Sequence, residues 1–374
     1  MTFPRTAKMS NTRIDRELYA ANWPRQNKVG NIEFQAGDML LVCGGFEDRA
    51  MAILNNAVAS KCNDLTVLDF EYLPAVESNH FPQISKLCES VGWKHIRIEY
   101  DRCNPAGIFE TVSKHFPSNL MRIYVDISAM SRLLIVQLIV GLLQYDMGNT
   151  EVSILYTEAE SYPPSESEAQ AELSNYINDS SAMMSFISTG VYDIAIVPEL
   201  SSLSINRAPV RLIAFPSFNP AQLFSVKSII QPAKTTLIHG VPADSALYWR
   251  TDAIRRMNQI DDDAKDQSLC ISTLDYSECL RSLLSIYDEW SELHSLVLSP
   301  TGSKMQTVAV GIFRSFIGDV QIIYPTPLRF TNPTDHTQGA KQVYELNLTP
   351  FVKLNNPYIK NEINSNSVTA AFNC

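Results

Sequence analysis

Glycine is scarce in this chain, with 14 in 374 residues, roughly half the usual share of about 7%. That rules out collagen-like repeats and glycine-rich linkers. The few glycines form neither a Gly-x-Gly-x-x-Gly turn nor a Gly-x-Ser-x-Gly nucleophile elbow. Val297 stands where a Walker A loop would need the glycine preceding Gly302-Ser303-Lys304. Positive charge is also in deficit: 30 Lys and Arg against 40 Asp and Glu leave a net charge of −10. An acidic chain does not bind nucleic acid broadly, although a local basic pocket for a small anion remains open to it. Long apolar runs are missing. The most apolar stretch, Leu133–Leu143, is about half the roughly 20 residues needed to cross a bilayer, so no membrane association is expected. Met1–Trp23 is polar and mixed in charge, unlike a secretory signal. The seven cysteines show neither Cys-x-x-Cys pairs nor histidine spacing suited to zinc. They read as reduced, mostly buried thiols of a cytoplasmic protein with no structural metal and no cofactor.

What is present is a globular composition, 45% apolar and 19% charged, in a chain long enough for two domains. Apolar runs at Asp38–Cys43, Leu65–Phe70, Ile96–Tyr100, Ile123–Asp126 and Val152–Tyr156 alternate with helical patterns at Ala50–Ser60, Ile84–Val91, Ile108–His115 and Leu133–Leu143. A second set of strands is expected at Leu212–Phe215, Thr236–His239, Leu269–Ser272, Leu296–Leu298 and Val320–Tyr324. This alternation predicts an α/β fold of two tandem Rossmann-like lobes, each a mainly parallel sheet flanked by helices. The expected divisions are an N-terminal arm over 1–36 with a short helix at Arg13–Ala21, a first lobe over 37–160, and an acidic, Ser-rich linker over 161–208. A second lobe over 209–330 and a C-terminal extension over 331–374, with an extended patch at Val343–Leu348, complete the chain.

Two strand-to-helix corners dominate the functional reading. Leu296-Val-Leu ends in Ser299-Pro-Thr-Gly-Ser-Lys304 before an amphipathic helical pattern, and Ile123-Tyr-Val-Asp126 ends in Ile127-Ser-Ala-Met-Ser-Arg132 before an apolar one. A helix N-terminus that follows a buried strand offers outward N–H groups and partial positive charge, and here each also carries a serine and a cation. Helix capping alone would also place a serine there. The two corners are 172 residues apart, as are Phe46 and Phe218, and as are the blocks His95–Tyr100 and Gln267–Ser272. One spacing shared by three blocks indicates a duplicated unit related by a pseudo-twofold axis.

In doubly wound sheets, ligands bind beyond the carboxyl ends of strands. Four turns are therefore expected to gather at one cleft. Arg49, Arg132 and Lys304 would supply charge there, and Ser128, Ser131, Thr301, Gly302 and Ser303 would supply donors for phosphates. Phe46 and Phe218 would stack on bases, although aromatic residues at strand ends also serve as core plugs. Asn219, Gln222, Gln306 and Asp126 would read base edges or ribose hydroxyls, while Glu47 and Ser217 lie in the same turns. Asp126 could equally cap its own turn.

Thr301-Gly302-Ser303-Lys304-Met305 after a buried strand resembles the Thr-Gly-Gly-Thr-Lys-Met type signature of CARF domains, the Rossmann-like sensors of antiviral systems. Two such lobes in one chain are similar to the SAVED domain. The resemblance implies a module that senses a cyclic or linear oligonucleotide messenger through the turns containing Phe46, Glu47, Arg49, Ser128, Ser131 and Arg132, and those containing Ser217–Gln222 and Thr301–Gln306. It also implies regulation of an effector in antiphage defence, and the effector would be a separate protein because no nuclease set stands out. Arg329 and His336 straddle Pro333, so they do not share a helix as a ribonuclease pair would. Two other readings follow from the same residues: a nucleotide-processing enzyme of ring-nuclease type with Lys304 as proton donor, and a structural subunit of a defence complex with a vestigial pocket. Homo- or hetero-oligomers are compatible with all three.

Overall fold

The computed structural model describes residues 18–19, 21–74, 79–178, 188–203, 208–260, 266–330 and 337–355. Most of the expected helix at 13–21, the acidic run Asp261–Asp263, His336 and residues 356–374 lie outside these.

The first lobe contains β1 (Asn27–Val29), β2 (Asp38–Cys43), β3 (Leu65–Leu73), β4 (Lys94–Asp101), β5 (Arg122–Asp126) and β6 (Glu151–Glu158). Its helices are α1 (Ala52–Ala59), α2 (Phe81–Val91), α3 (Ile108–Ser113) and α4 (Arg132–Gln144). After α5 (Glu166–Asn178) come β7 (Ser188–Thr189), β8 (Asp193–Ala195), β9 (Val210–Ala214), β10 (Lys234–Val241), β11 (Asp266–Ser272), β12 (Ser295–Ser299) and β13 (Gln321–Ile322). The helices of this lobe are α6 (Pro220–Ile230), α7 (Trp249–Met257), α8 (Tyr276–Trp290) and α9 (Lys304–Phe316), and the described chain closes with β14 (Tyr324–Thr326), β15 (Arg329–Phe330), β16 (Gln342–Asn347) and α10 (Thr349–Asn355).

Both lobes carry a mainly parallel sheet. In the first, β6-β5-β2-β3-β4 lie side by side and parallel. In the second, β13-β12-β9-β10-β11 do the same. Numbered within its own lobe, each sheet has the order 5-4-1-2-3. The reason is legible in the central strands: β2, Asp38-Met-Leu-Leu-Val-Cys43, is buried at every position, as a parallel strand covered on both faces must be.

Helices α4 and α9 join the lobes. They span 132–144 and 304–316, so their ends are also 172 residues apart. The helices pack directly on each other at Ile139 and Gly311, two positions at that same spacing. A Cβ on Gly311 would lie 2.8 Å from Ile139 Cβ, so glycine lets the backbones approach. One apolar core runs through both lobes, including Leu41, Val125, Leu134 and Ile139 from the first and Ile213, Leu298, Val308 and Phe313 from the second.

Several expectations need correction. The segment from 161, read as a linker, forms α5, whose Ala169 and Leu173 pack on Phe218 and Met257 of the second lobe. Val320–Tyr324, read as one strand, splits after Ile322, and β14 pairs antiparallel with β8 away from the main sheet. The C-terminal patch is not peripheral: β16 pairs antiparallel with β6, and β1 pairs with β16, giving the first sheet seven strands. The thiols are less uniformly buried than expected, since Cys103 and Cys270 are exposed while Cys43, Cys88 and Cys279 are buried. Among the described residues no helix is long and apolar enough to cross a membrane, and no group of three metal-ligating side chains gathers.

Candidate functional site

A cavity of about 370 Å³ opens between the lobes. It lies at the carboxyl ends of both sheets, lined by turns after β2 and β5 in one lobe and after β9 and β12 in the other. These strands flank the point where the strand order reverses, the usual ligand position in an open parallel sheet.

The floor is built by the two helix starts, which exchange contacts. Lys304 Nζ donates to the Met130 carbonyl, and Arg132 Nε donates to the Gly302 carbonyl. Under the 172-residue spacing, Met130 corresponds to Gly302 and Arg132 to Lys304, so these are one contact made twice in opposite directions. Each lobe's cation caps the other lobe's turn. Ser303 opens α9 with a reciprocal capping box: its Oγ accepts from Gln306 N–H, and Gln306 Oε1 accepts from Ser303 N–H at 2.9 Å. Ser131 opens α4 by accepting from Leu134 N–H at 3.3 Å, while its own N–H goes to the Tyr72 hydroxyl. Gly302 is required between them, because a Cβ there would fall 2.8 Å from the Phe215 ring.

Burial changes the charge on the floor. Desolvation pushes the Lys304 ammonium down to about 7, with nearby Arg49 and Arg132 adding to the effect and Glu47 opposing it. Arg49 is buried, donates from Nε to Glu47 at 2.8 Å and from Nη1 to the Thr157 carbonyl at 3.2 Å, and lies 5.7 Å over the Tyr156 ring. Burial would raise Glu47, but the charges of Arg49 and Lys304 outweigh it and hold the carboxyl below its ordinary value.

Of the residues singled out in the sequence, Phe46, Glu47, Arg49, Ser131, Arg132, Ser217, Phe218, Asn219, Gln222, Thr301, Gly302, Ser303, Lys304 and Gln306 line this one cavity. Asp126 and Ser128 do not. Both are buried behind the floor, where Asp126 Oδ1 accepts from the Ser128 N–H and hydroxyl and Ser128 Oγ accepts from Thr157 N–H. Burial pushes Asp126 up to about 6, opposed by the Ser128 hydrogen bonds. It caps its own turn, the other role open to it in the sequence.

Several lining residues already have internal partners. Thr301 donates to the Phe215 carbonyl, Ser303 to Thr273 O at 2.6 Å, and Gln306 to Ser272 O at 3.1 Å. Gln222 donates to Pro325 O at 3.2 Å and accepts from Ser217 Oγ, while Asn219 Nδ2 donates to Gly190 O at 3.2 Å. These side chains shape the cleft more than they present open donors to it. Phe218 is buried against Trp249, with the Arg250 guanidinium 4.6 Å over its ring. Phe46 is half-buried at the wall.

Sequence reading missed Tyr72, Arg102, Tyr156, Tyr162 and Arg250, which also line the cavity. All but Tyr162 and Arg250 lie at or just after the carboxyl end of a strand. The aromatic and cationic run Tyr248-Trp249-Arg250 following β10 was the available signal for the last. Arg250 donates to the carbonyls of Tyr162, Pro163 and Pro164 at 2.7 to 3.1 Å, and burial pushes its guanidinium down to about 10.

No protein-family model matches the chain, and no curated protein matches its sequence. Among solved structures it is similar to a Type III CRISPR defence DNA nuclease activated by cyclic oligoadenylate, with 8% identity and a TM-score of 0.45, over 78% of this chain and 65% of that one. The chain thus spans about two thirds of that nuclease. A prokaryotic cation chloride cotransporter's cytoplasmic domain aligns at 8% identity and a TM-score of 0.24, over 78% of this chain and 95% of that one. The NADP-bound N-domain of a bacterial malonyl-CoA reductase aligns at 10% identity and 0.19, over 75% and 76%. At these scores the functional reading has to come from the cleft itself.

Proposed function

We propose that the protein is a binding module for an anionic nucleotide, held in the cleft between its lobes, whose occupancy regulates a separate effector. The observation that carries this reading is the convergence of Arg132 and Lys304, one from each lobe, on the floor of a single cavity at the carboxyl edges of two parallel sheets. A chain with a net charge of −10 has placed five cations, Arg49, Arg102, Arg132, Arg250 and Lys304, around that cavity. Helix N-termini and cations together suit phosphate oxygens, and the aromatic walls suit a base. The shared 172-residue spacing of Phe46 and Phe218, of Ser131 and Ser303, and of both ends of α4 and α9 further supports reading the lobes as copies of one unit. The effector and the antiphage setting rest on the resemblance to CARF and SAVED sensors alone.

The test is thermal unfolding of the purified chain with a panel of nucleotides and oligonucleotides. A ligand at 100 times its Kd stabilises by about 2.7 kcal/mol, and Lys304→Ala is expected to abolish the rise. A panel that leaves the melting temperature unmoved sinks the reading. A second reading, phosphodiester cleavage, is favoured by one observation: Lys304 sits near neutrality, as a proton donor working at physiological pH must. It requires that chromatography of a bound ligand after incubation show new products which the Lys304→Ala protein does not make.

A further inference from the structure

Resting on the nucleotide reading of the cleft, we infer that its ligand is linear and carries its charge at one end, a mono- or dinucleotide with a terminal phosphate rather than a twofold-symmetric ring. A ring with twofold symmetry shows the same phosphate and the same base to each lobe. The lobes must then offer the same groups at equivalent positions.

Near the pseudo-axis they do. At the 172-residue spacing Phe46 answers Phe218, Ser131 answers Ser303 and Arg132 answers Lys304, and all six line the cavity. Further out the match fails. Followed through the strand registers, Tyr72 corresponds to Gly240 and Arg102 to Thr273, with both members of each pair on the cavity wall. Arg49 corresponds to Ala221. A phosphate that met the Arg102 guanidinium on the first lobe would have a symmetry mate beside the neutral Thr273, where no charge-assisted hydrogen bond answers it.

The cations are not equivalent in what they have left to give. Arg132 uses only Nε on Gly302, and its two terminal nitrogens have no partner among the described residues. Arg250 spends three of its five N–H donors on backbone carbonyls, and its guanidinium carbon lies 4.6 Å from the Phe218 ring centre. That leaves the second lobe an aromatic and guanidinium surface of the kind on which a base stacks, and not a phosphate clamp. The lobes therefore divide the work, with a phosphate toward Arg132 and Arg102 and a base toward Phe218 and Arg250. The cavity, about 370 Å³, lies at the small end of the roughly 300–1,000 Å³ range of small-molecule sites. It suits one or two nucleotides.

Calorimetric titration of the full chain decides the matter, using adenosine monophosphate, linear diadenylate with a 5′-phosphate, cyclic diadenylate and cyclic tetra-adenylate, each with its guanine counterpart. One of the linear ligands is expected to bind one per chain, at least about tenfold tighter than any ring of the same base, the worth of one charge-assisted hydrogen bond. Arg102→Ala should erase that preference, and Thr273→Arg should narrow it by giving the second lobe a cation at the equivalent position. If Thr273→Arg lowers the melting temperature of the free protein, Asp244→Asn, which removes a carboxylate from the second lobe's exposed lip, tests the same direction. Binding of a ring as tightly as the linear ligands overturns the inference while leaving the nucleotide reading intact. Failure of every ligand of both shapes overturns the two together.

Discussion

Ser131 and Ser303 open the two helices that meet beneath the cleft, and they are held differently. Ser303 is locked by a reciprocal box with Gln306 and by a 2.6 Å hydrogen bond to Thr273 O. Ser131 has no such box; Leu134 stands where Gln306 would be, and the Tyr72 hydroxyl takes the serine's N–H instead. The first corner borrows from a neighbouring strand what the second finds in its own helix. A similar strand-to-helix corner can thus be stabilised by different chemistry.

The comparison breaks most visibly at the helix crossing. Gly311→Val places a branched side chain against Ile139 and should cost about 3 kcal/mol in urea unfolding, the upper range for overpacking. If the helices are related by a twofold axis through that contact, exchanging the pair as Ile139→Gly with Gly311→Ile recovers more than half of the loss. No recovery means the crossing is not symmetric.

The cations offer the next test. Lys304 titrates at about 7 in the folded chain against an ordinary 10.5. Between these values the unfolded chain holds a proton that the folded chain lacks, so stability from this group rises with pH across that window. Below about 7 the penalty of the buried charge is fully present. The slope is at most about 1.4 kcal/mol per pH unit. Lys304→Met should flatten it, and a bound phosphate should do the same by restoring the proton. An unchanged slope in Lys304→Met assigns the titration elsewhere.

Smaller effects separate the two caps. Ser303→Ala should destabilise by about 1 kcal/mol, within the range for lost caps. Ser131→Ala, which loses a longer cap of 3.3 Å to Leu134, should cost about 0.5 kcal/mol, the low end of that range. Equal losses in chemical denaturation remove the contrast drawn here.

Much of the frame was legible. β2 and β12 announced themselves as continuous apolar runs because a parallel strand buried on both faces has no polar side to show. The starts of α4 and α9 followed from a serine placed before an apolar helical pattern. Helix α5 was misread because its sequence is acidic and Ser-rich; among its described side chains Ala169 and Leu173 are the buried ones, and they pack on Phe218 and Met257. The break at Ile322 and the join of β16 to β6 are pairings between distant segments, which local pattern does not encode. Asp126 and Ser128 shared the composition of the cavity turns but point their hydrogen bonds into the protein, and Tyr72 and Arg102 reach the cavity from strand ends that carried no local motif.

By itself the sequence determined the parallel sheets, their helices and the positions where strand meets helix, because hydrophobic period and capping are local properties of a few neighbouring residues. Only the tertiary structure decided that α4 and α9 pack at Ile139 and Gly311, and that Arg132 and Lys304 each cap the other lobe. Which turn residues face the cavity and which are consumed in holding it open also depends on distances between groups far apart in the chain, and burial and charge act through those distances.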